Sequence, residues 1–131
     1  MKQLMILLTC LLSFNAFTEE EGSPFTDIQF HASPSVLVEV DEEIYYLLEI
    51  NGARRADIIQ KCEKAYGDDC QFMLAEKFKE TLRTVDIEIE NSVNLKLYKM
   101  EGHVVLTKDN VPVTAENLDQ IIFKRELRNE R

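Results

Sequence analysis

Residues 36–50 read VLVEVDEEIYYLLEI, in which the acidic group Asp41-Glu42-Glu43 separates two apolar runs. In the first run a valine stands at every second position, which is the period of a strand with one buried face. The second run, Ile44 to Ile50, is rich in the aliphatic and aromatic residues that favour strands. Upstream, Ile28 and Phe30 alternate with polar neighbours in the same way. The chain from Asp27 to Ile50 therefore predicts β structure, with a turn at the acidic group.

The dipeptide Asn51-Gly52 follows these strands. It is a hairpin-turn signal, but apolar residues at helical spacing from 53 to 66 favour the end of a strand followed by a helix. Gly67 is a typical helix stop, and Asp68-Asp69 are good N-caps for another helix. Residues 53–83 therefore predict a helical hairpin with a tight connection.

Apolar and acidic residues alternate strictly over residues 85–90, VDIEIE. This is the period of a half-buried strand. Asn91-Ser92 then predicts a turn, and a second alternation over 93–98 completes a predicted hairpin. The carboxylates Asp86, Glu88 and Glu90 would lie on the outer face of the first strand.

The last third of the chain predicts one more strand and one helix. The strand runs from His103 to Thr107 and is followed by a loop at 108–110. Pro112 prevents continuation as a central strand. Thr114 can cap a helix over 115–128, whose last turns carry three basic residues that favour the negative end of the helix dipole.

This order of elements predicts an α+β fold, a mainly antiparallel sheet with a helical hairpin and a C-terminal helix. Residues 19–26 read as a flexible acidic tail and 27–131 as a single domain. Hydrophobic residues make up 45% of the 131 residues, which is enough for a core. The aromatic residues expected in that core are Tyr45, Tyr46, Phe72 and Phe78.

Residues 1–18, MKQLMILLTCLLSFNAFT, have the pattern of a secretory signal peptide, with one charge at Lys2 before an apolar core. That core is too short to span a bilayer, which needs about 20 residues. A buried N-terminal helix is the structural alternative. We expect cleavage after Ala16 or Thr18, no membrane span, and a secreted or periplasmic location.

Cys10 offers a third interpretation of the leader, as a lipid-anchor site. The preceding Thr9 and the very short leader disfavour this anchor. With the leader removed, two of the three cysteines remain, Cys62 and Cys70.

Cys62 and Cys70 flank the predicted connection between two antiparallel helices, which suits a disulfide. A free buried pair, or a redox or metal role, is the alternative. The Cys-x-x-Cys redox motif is absent. A zinc site needs about four ligands, and only His31 and His103 could join the pair. We therefore predict a disulfide and neither a metal nor another cofactor.

Charge narrows the class of partner. Lys and Arg number 15 against 24 Asp and Glu, a net charge of −9. Nucleic-acid binding, which needs clustered cations, is disfavoured, as is docking to anionic lipid. A protein or peptide partner with a basic surface is favoured by charge complementarity.

Catalytic signals are weak. The two histidines sit in or beside strands, where surface positions are usual, and the mature serines lie in no Gly-x-Ser-x-Gly elbow. The sequence has no metalloprotease, phosphate-loop or dinucleotide motif. The carboxylates at 86, 88 and 90 are spaced like a glycosidase pair, although a solvated strand face explains them as well.

The stretch LEINGARRADII, residues 48–59, resembles a piece of the PDZ-like modules attached to exported serine peptidases. In those modules a strand ends in Ile-Asn-Gly and a helix begins a few residues later. Residues 104–122 echo the same order of strand, turn and helix. The resemblance implies a peptide-binding groove. This chain lacks a Gly-containing carboxylate-binding loop, and its helical hairpin lies outside the pattern, so no binding residue is carried over.

These observations favour a small exported interaction module without catalytic activity. An inhibitor or immunity-type protein that blocks a basic enzyme is the first alternative. A small exported hydrolase that uses a histidine or scattered carboxylates is the second.

Overall fold

The computed structural model describes residues 21–31 and 35–130. The predicted signal peptide over 1–18, with Cys10, lies outside the described residues. The strands are β1 (Asp27–Phe30), β2 (Val36–Val40), β3 (Glu43–Ile50), β4 (Ala53–Arg54), β5 (Ser92–Lys99) and β6 (Val104–Pro112). The helices are α1 (Arg55–Tyr66), α2 (Cys70–Glu76), α3 (Phe78–Thr84) and α4 (Ala115–Asn129), with a 3₁₀ turn at Gly67–Asp69.

The strands form one antiparallel sheet in the order β1-β2-β3-β5-β6, and the short β4 pairs with β3. The α+β class is confirmed, as are the strands expected between Asp27 and Ile50. The helical hairpin region follows β4, and α4 follows β6. All strand pairs are antiparallel because each connection is a hairpin or returns through the helical region.

The core lies on one face of the sheet. Alternate residues of β2, β3 and β5 point to that face, where they pack with buried residues of the helices. Phe25 and Phe78 meet edge to face with ring centroids 5.8 Å apart. The largest fully buried side chains of the strands include Ile28, Val36, Leu47, Ile50, Leu95 and Leu97, and those of the helices include Ile58, Leu74, Phe78, Leu82 and Ile121.

The flexible tail expected over 19–26 is wrong for residues 21–26, which are packed against the domain. Phe25 has no exposed surface. Ser23 N–H donates to Thr114 O at 3.0 Å, and Thr114 N–H donates back at 3.1 Å. A Cβ on Gly22 would approach the Thr114 backbone to 2.9 Å, so only glycine fits. The acidic composition of this segment predicts exposure, and the sequence gives no local signal for the pairing of Ser23 with Thr114, which is more than 90 positions away.

Asn51-Gly52 is a hairpin turn, so the expected direct step from strand to helix is wrong. Asn51 and Gly52 have φ of 50° and 83°, as a type I′ turn requires. The chain then pairs back on β3 through β4, and α1 begins only at Arg55. The helix stop at Gly67 is confirmed, with φ of 60° and an N–H that donates to Glu63 O.

The second arm of the hairpin is two helices, α2 and α3, that meet at Lys77 with φ −127° and ψ 50°. The Thr81 hydroxyl lies 2.8 Å from Met73 O and 2.7 Å from Lys77 O across this break. Asp68-Asp69 lie in the 3₁₀ turn, and neither caps a helix with its side chain. Asp69 nevertheless occupies the N-cap position of α2, as predicted, but without a side-chain capping hydrogen bond, and Asp68 lies within the 3₁₀ turn.

The strand expected at 85–90 is also wrong, although its alternation is real. Val85 is buried, Ile87 and Ile89 are partly buried, and the acidic residues between them are exposed. Asp86 has φ of 66° and Ile87 N–H donates to Leu82 O, which ties the segment to the end of α3. The alternation reports which side chains face the core, whereas no strand pairs with this segment.

β6 is longer than the expected strand at 103–107, because the predicted loop at 108–110 is a β-bulge within it. Asn110 takes the left-handed conformation with φ of 56°. Pro112 is the last residue of this strand, which pairs on one side only, where proline is tolerated.

Three asparagines connect β6 to β5 and β3. The backbone N–H of Asn94 in β5 donates to Oδ1 of Asn51 at 2.7 Å, and the Asn94 carbonyl accepts from Asn51 N–H at 2.8 Å. The side chain of Asn94 accepts from Asn110 N–H at 2.9 Å. The bulge of β6 and the tight turn after β3 are thus held by one residue.

Asn94→Ala should lower the free energy of unfolding by about 1 kcal/mol, because Asn110 N–H loses its acceptor. Asn91→Ala is the matched control, since this exposed neighbour has no side-chain hydrogen bond in the described part of the chain. Urea unfolding monitored by circular dichroism measures both. Equal stability of the two variants would contradict the role of Asn94.

Candidate binding surface

The face of the sheet opposite the core carries a row of apolar and aromatic side chains. Register places Leu37 beside Tyr46, Tyr46 beside Tyr98, and Tyr98 beside Val105. These four residues, from four adjacent strands, lie on one face because paired residues of neighbouring strands point the same way. We call them, together with Ile44 on the same face of β3, the aromatic face.

The aromatic face is open to solvent at two of its residues, one in β3 and one in β6. Ile44 is 63% exposed and Val105 54% exposed, whereas Tyr46 and Tyr98 are partly buried. The Tyr46 and Tyr98 rings lie 6.4 Å apart between centroids. The Tyr98 hydroxyl is hydrogen-bonded to Nδ1 of His103 at 2.7 Å, which fixes the ring. The surface is therefore apolar and preorganised, with a polar rim.

Charged groups border the end of the sheet where β2 turns into β3. Glu43 accepts from the Tyr45 hydroxyl at 2.6 Å and from Lys99 at 3.1 Å. The Tyr45 hydrogen bond and Lys99 hold the pKa of Glu43 below its usual value. The same bond to Glu43, with burial, raises the pKa of Tyr45 to about 12. Both groups therefore keep their charge states across the physiological range.

Helix α4 is held by three ion pairs with other elements. Lys124 pairs with Glu39 in β2, Arg125 with Glu76 in α2, and Arg128 with Asp27 in β1. Glu76 is only 9% exposed, and its carboxylate raises the pKa of Arg125. The sequence predicted helix-dipole compensation for these cations, and their carboxylate partners could not be identified without the fold.

Glu39→Gln should be less stable than the wild type by about 1 kcal/mol at neutral pH. Hydrogen bonds from Lys124 and from Thr26, the latter at 2.6 Å, lower the pKa of Glu39 in the folded protein. A carboxyl whose folded pKa is depressed contributes stability above its unfolded pKa and loses it as pH falls through the folded pKa. The difference between variant and wild type should therefore close in acid.

Urea unfolding at a series of pH values from 7 downward measures this closure. Glu42→Gln is the control, because Glu42 is exposed in the turn before β3 and has no ion pair among the described residues. If Glu39→Gln remained less stable than the wild type by the same amount in acid, the ionised Glu39 carboxylate would not be the cause of the difference.

Cys62 and Cys70 are joined, with Cα atoms 5.5 Å apart, as the sequence predicts. Both are buried, with 0% and 2% of their surface exposed. The bond links the C-terminal half of α1 to the first residue of α2 and so closes the turn of the helical hairpin. Its place is structural, within the core and away from the aromatic face.

Reduction of this disulfide should destabilise the protein by about 2.5 kcal/mol, the chain-entropy value for so short a loop. The double variant Cys62→Ala with Cys70→Ala should lose a similar amount and become insensitive to reductant. Urea unfolding with and without dithiothreitol measures both. Wild-type stability that does not respond to full reduction would contradict the assignment.

The other predicted candidates are dispersed. His31 lies just past β1, whereas His103 lies in the β5–β6 turn and bonds Tyr98. A cleft of about 420 Å³ brings Glu88 and Glu90 together with Lys79 and Arg83, and no histidine lines it. Within residues 21–31 and 35–130, no cluster of three or more acidic, histidine or cysteine side chains is arranged to hold a metal ion.

The expected aromatic core is confirmed for Tyr45 and Phe78 and is wrong for Phe72, which is 45% exposed. Tyr46 belongs to the aromatic face and is only partly buried. The sequence signal that could have separated Tyr45 from Tyr46 is strand alternation itself, since adjacent strand residues point to opposite faces.

Comparisons of the chain with family models, curated proteins and solved structures give no match. The Ile50-Asn51-Gly52 segment of the PDZ-like resemblance forms the turn between β3 and β4. In the part of the chain that the structure describes, no helix has both the length and the apolar composition that crossing a membrane requires.

Proposed function

We propose that the protein is an exported, non-catalytic module that binds a protein or peptide through the aromatic face. The observation that carries this proposal is the row Leu37–Tyr46–Tyr98–Val105, which ends in exposed Val105 and is flanked by exposed Ile44. Clustered apolar surface on an otherwise charged protein typically marks an interaction site.

The chemistry of the aromatic face suits protein recognition. Tyrosine offers a large apolar ring and one polar group, and it is enriched at the energetic centres of interfaces. The ring of Tyr98 is already fixed by His103, so less conformational entropy is lost on binding. A net charge of −9 favours encounter with a basic partner.

Two further observations support export. The leader over 1–18 has the pattern of a signal peptide, and the Cys62–Cys70 bond is typical of an oxidising compartment. An inhibitor of a basic enzyme would use the same surface and would differ only in that its partner is an enzyme.

A displayed peptide library selected against the oxidised protein tests this function. Selected peptides should be rich in lysine and arginine, and their binding should shift the NMR signals of Ile44, Tyr46 and Val105. The double variant Ile44→Ser with Val105→Ser should bind at least about tenfold more weakly, because both apolar contacts are lost while the net charge stays the same.

Phe123→Ser is the matched control, because Phe123 is 57% exposed on α4 and is not a residue of the aromatic face. It should bind as the wild type does, and both proteins should unfold at the wild-type urea midpoint. Equal binding by both variants would overturn the assigned surface. Cleavage of a bound peptide, followed by mass spectrometry, would overturn the non-catalytic role.

A further inference from the structure

The two edges of the sheet differ in how their backbone groups are satisfied. Just past β1, His31 N–H donates to Ser35 O, the residue before β2, so the even-numbered residues of β1 turn their N–H groups outward. Both outward donors have side-chain acceptors: Ile28 N–H bonds the Asp27 carboxylate at 2.9 Å and Phe30 N–H bonds the Gln71 amide at 3.4 Å. Helices α2 and α4 also contact β1. This edge is closed.

The orientation of β6 follows from Asn94. Because Asn94 exchanges backbone and side-chain bonds with Asn51 on the β3 side, the odd-numbered residues of β5 turn toward β6. Their register partners in β6 are Val104, Leu106 and Lys108. The N–H and C=O groups of Val105 and Thr107 therefore point outward, away from the sheet.

The chain itself closes the far end of this outer edge. Beyond the bulge, Val113 N–H donates to Asn91 O, so Pro112 and Thr114 face outward. Pro112 has no N–H, and Thr114 exchanges two hydrogen bonds with Ser23. The segment around Ser23 therefore already covers the outer edge of residues 113–114, which follow β6.

The near end, Val104–Thr107, has no such cover. No partner bonds the backbone of Val105 or Thr107 on the outer side among the described residues. The side chains of Val104 and Val105 are 46% and 54% exposed. Edge strands normally carry a proline, a lysine or a bulge that prevents pairing, and in β6 those devices begin only at Lys108.

Resting on the proposed function, we propose that an extended segment of a basic partner protein pairs with Val104–Thr107 and adds a strand to the sheet. Side chains of the added strand opposite Val105 would extend the aromatic face by one position. Exposed carboxylates stand at both ends of the segment, Glu101 in the preceding turn and Asp109 in the bulge. Neither has an ion-pair partner in the described part of the chain.

The charge around Val104–Thr107 indicates which kind of chain would pair with it. A short β-branched segment flanked by lysine or arginine satisfies the outward backbone groups, the exposed valines and the two carboxylates together. A second copy of this chain fits less well, because each copy carries a net charge of −9 and the two would repel.

The test uses a synthetic peptide with an alternating valine–threonine segment flanked by lysines, added to the oxidised protein. Residue-resolved amide hydrogen exchange should show at least about tenfold slower exchange at Val105 and Thr107, the gain expected from one hydrogen bond each. The Leu106 and Lys108 amides, which already face β5, should change little.

Control peptides and control protein variants separate the two parts of recognition, which are charge attraction and backbone pairing. A peptide with glutamate in place of lysine, or with N-methylated backbone amides, should bind about tenfold more weakly. In the protein, Glu101→Lys with Asp109→Lys should weaken binding, whereas Glu63→Lys with Glu126→Lys, which reverses two exposed helix carboxylates, should do so less.

The outcomes separate this inference from the proposed function. Peptide binding that shifts the aromatic face without slowing the Val105 and Thr107 amides would overturn the added strand and leave the interaction module standing. The same follows if the peptide does not bind while library-selected peptides do. If hydrogen exchange at Val105 and Thr107 became slower without peptide as the protein concentration rose, the strand paired with β6 would belong to a second copy of this chain. If no peptide of either kind binds, both proposals fail.

Discussion

Asn94 stands where three strands of the sheet meet, and its hydrogen bonds set the orientation of the strands around it. By bonding Asn51 on one side and Asn110 on the other, it fixes which β5 residues turn toward β3 and which turn toward β6. That choice places Leu95 and Leu97 in the core and Tyr98 on the aromatic face. It also determines that Val105 and Thr107 face outward.

The packing of the helices covers one edge of the sheet, at β1, and leaves part of the other edge, at β6, exposed. Three ion pairs hold α4 beside β1, β2 and α2, and the disulfide fixes the helical hairpin. The helices therefore cover the core face and the β1 edge, while Ile44 on the aromatic face and Val104 and Val105 in the first half of β6 are exposed. The surface proposed for binding is the part of the sheet that the chain's own helices and turns do not cover.

The sequence predicted most of the elements and few of the contacts. Alternation identified β2 and β5, composition identified β3, and Thr114 marked the start of α4, because those signals are local. The same alternation at 85–90 predicted a strand that does not form, since it reports burial and not pairing. Asn51-Gly52, read without its partner strand, left the β4 hairpin unrecognised. The aromatic face needed the register of four strands, which no local pattern contains.

Amide hydrogen exchange of the isolated, oxidised protein tests the central claim, that β6 is open where β1 is closed. We predict fast exchange at Val105 and Thr107, slow exchange at Leu106 between them, and slowed exchange at Ile28 and Phe30, whose N–H groups have side-chain acceptors. Slow exchange at Val105 and Thr107 in the isolated protein would show that their outer edge is already covered and that β6 is not open.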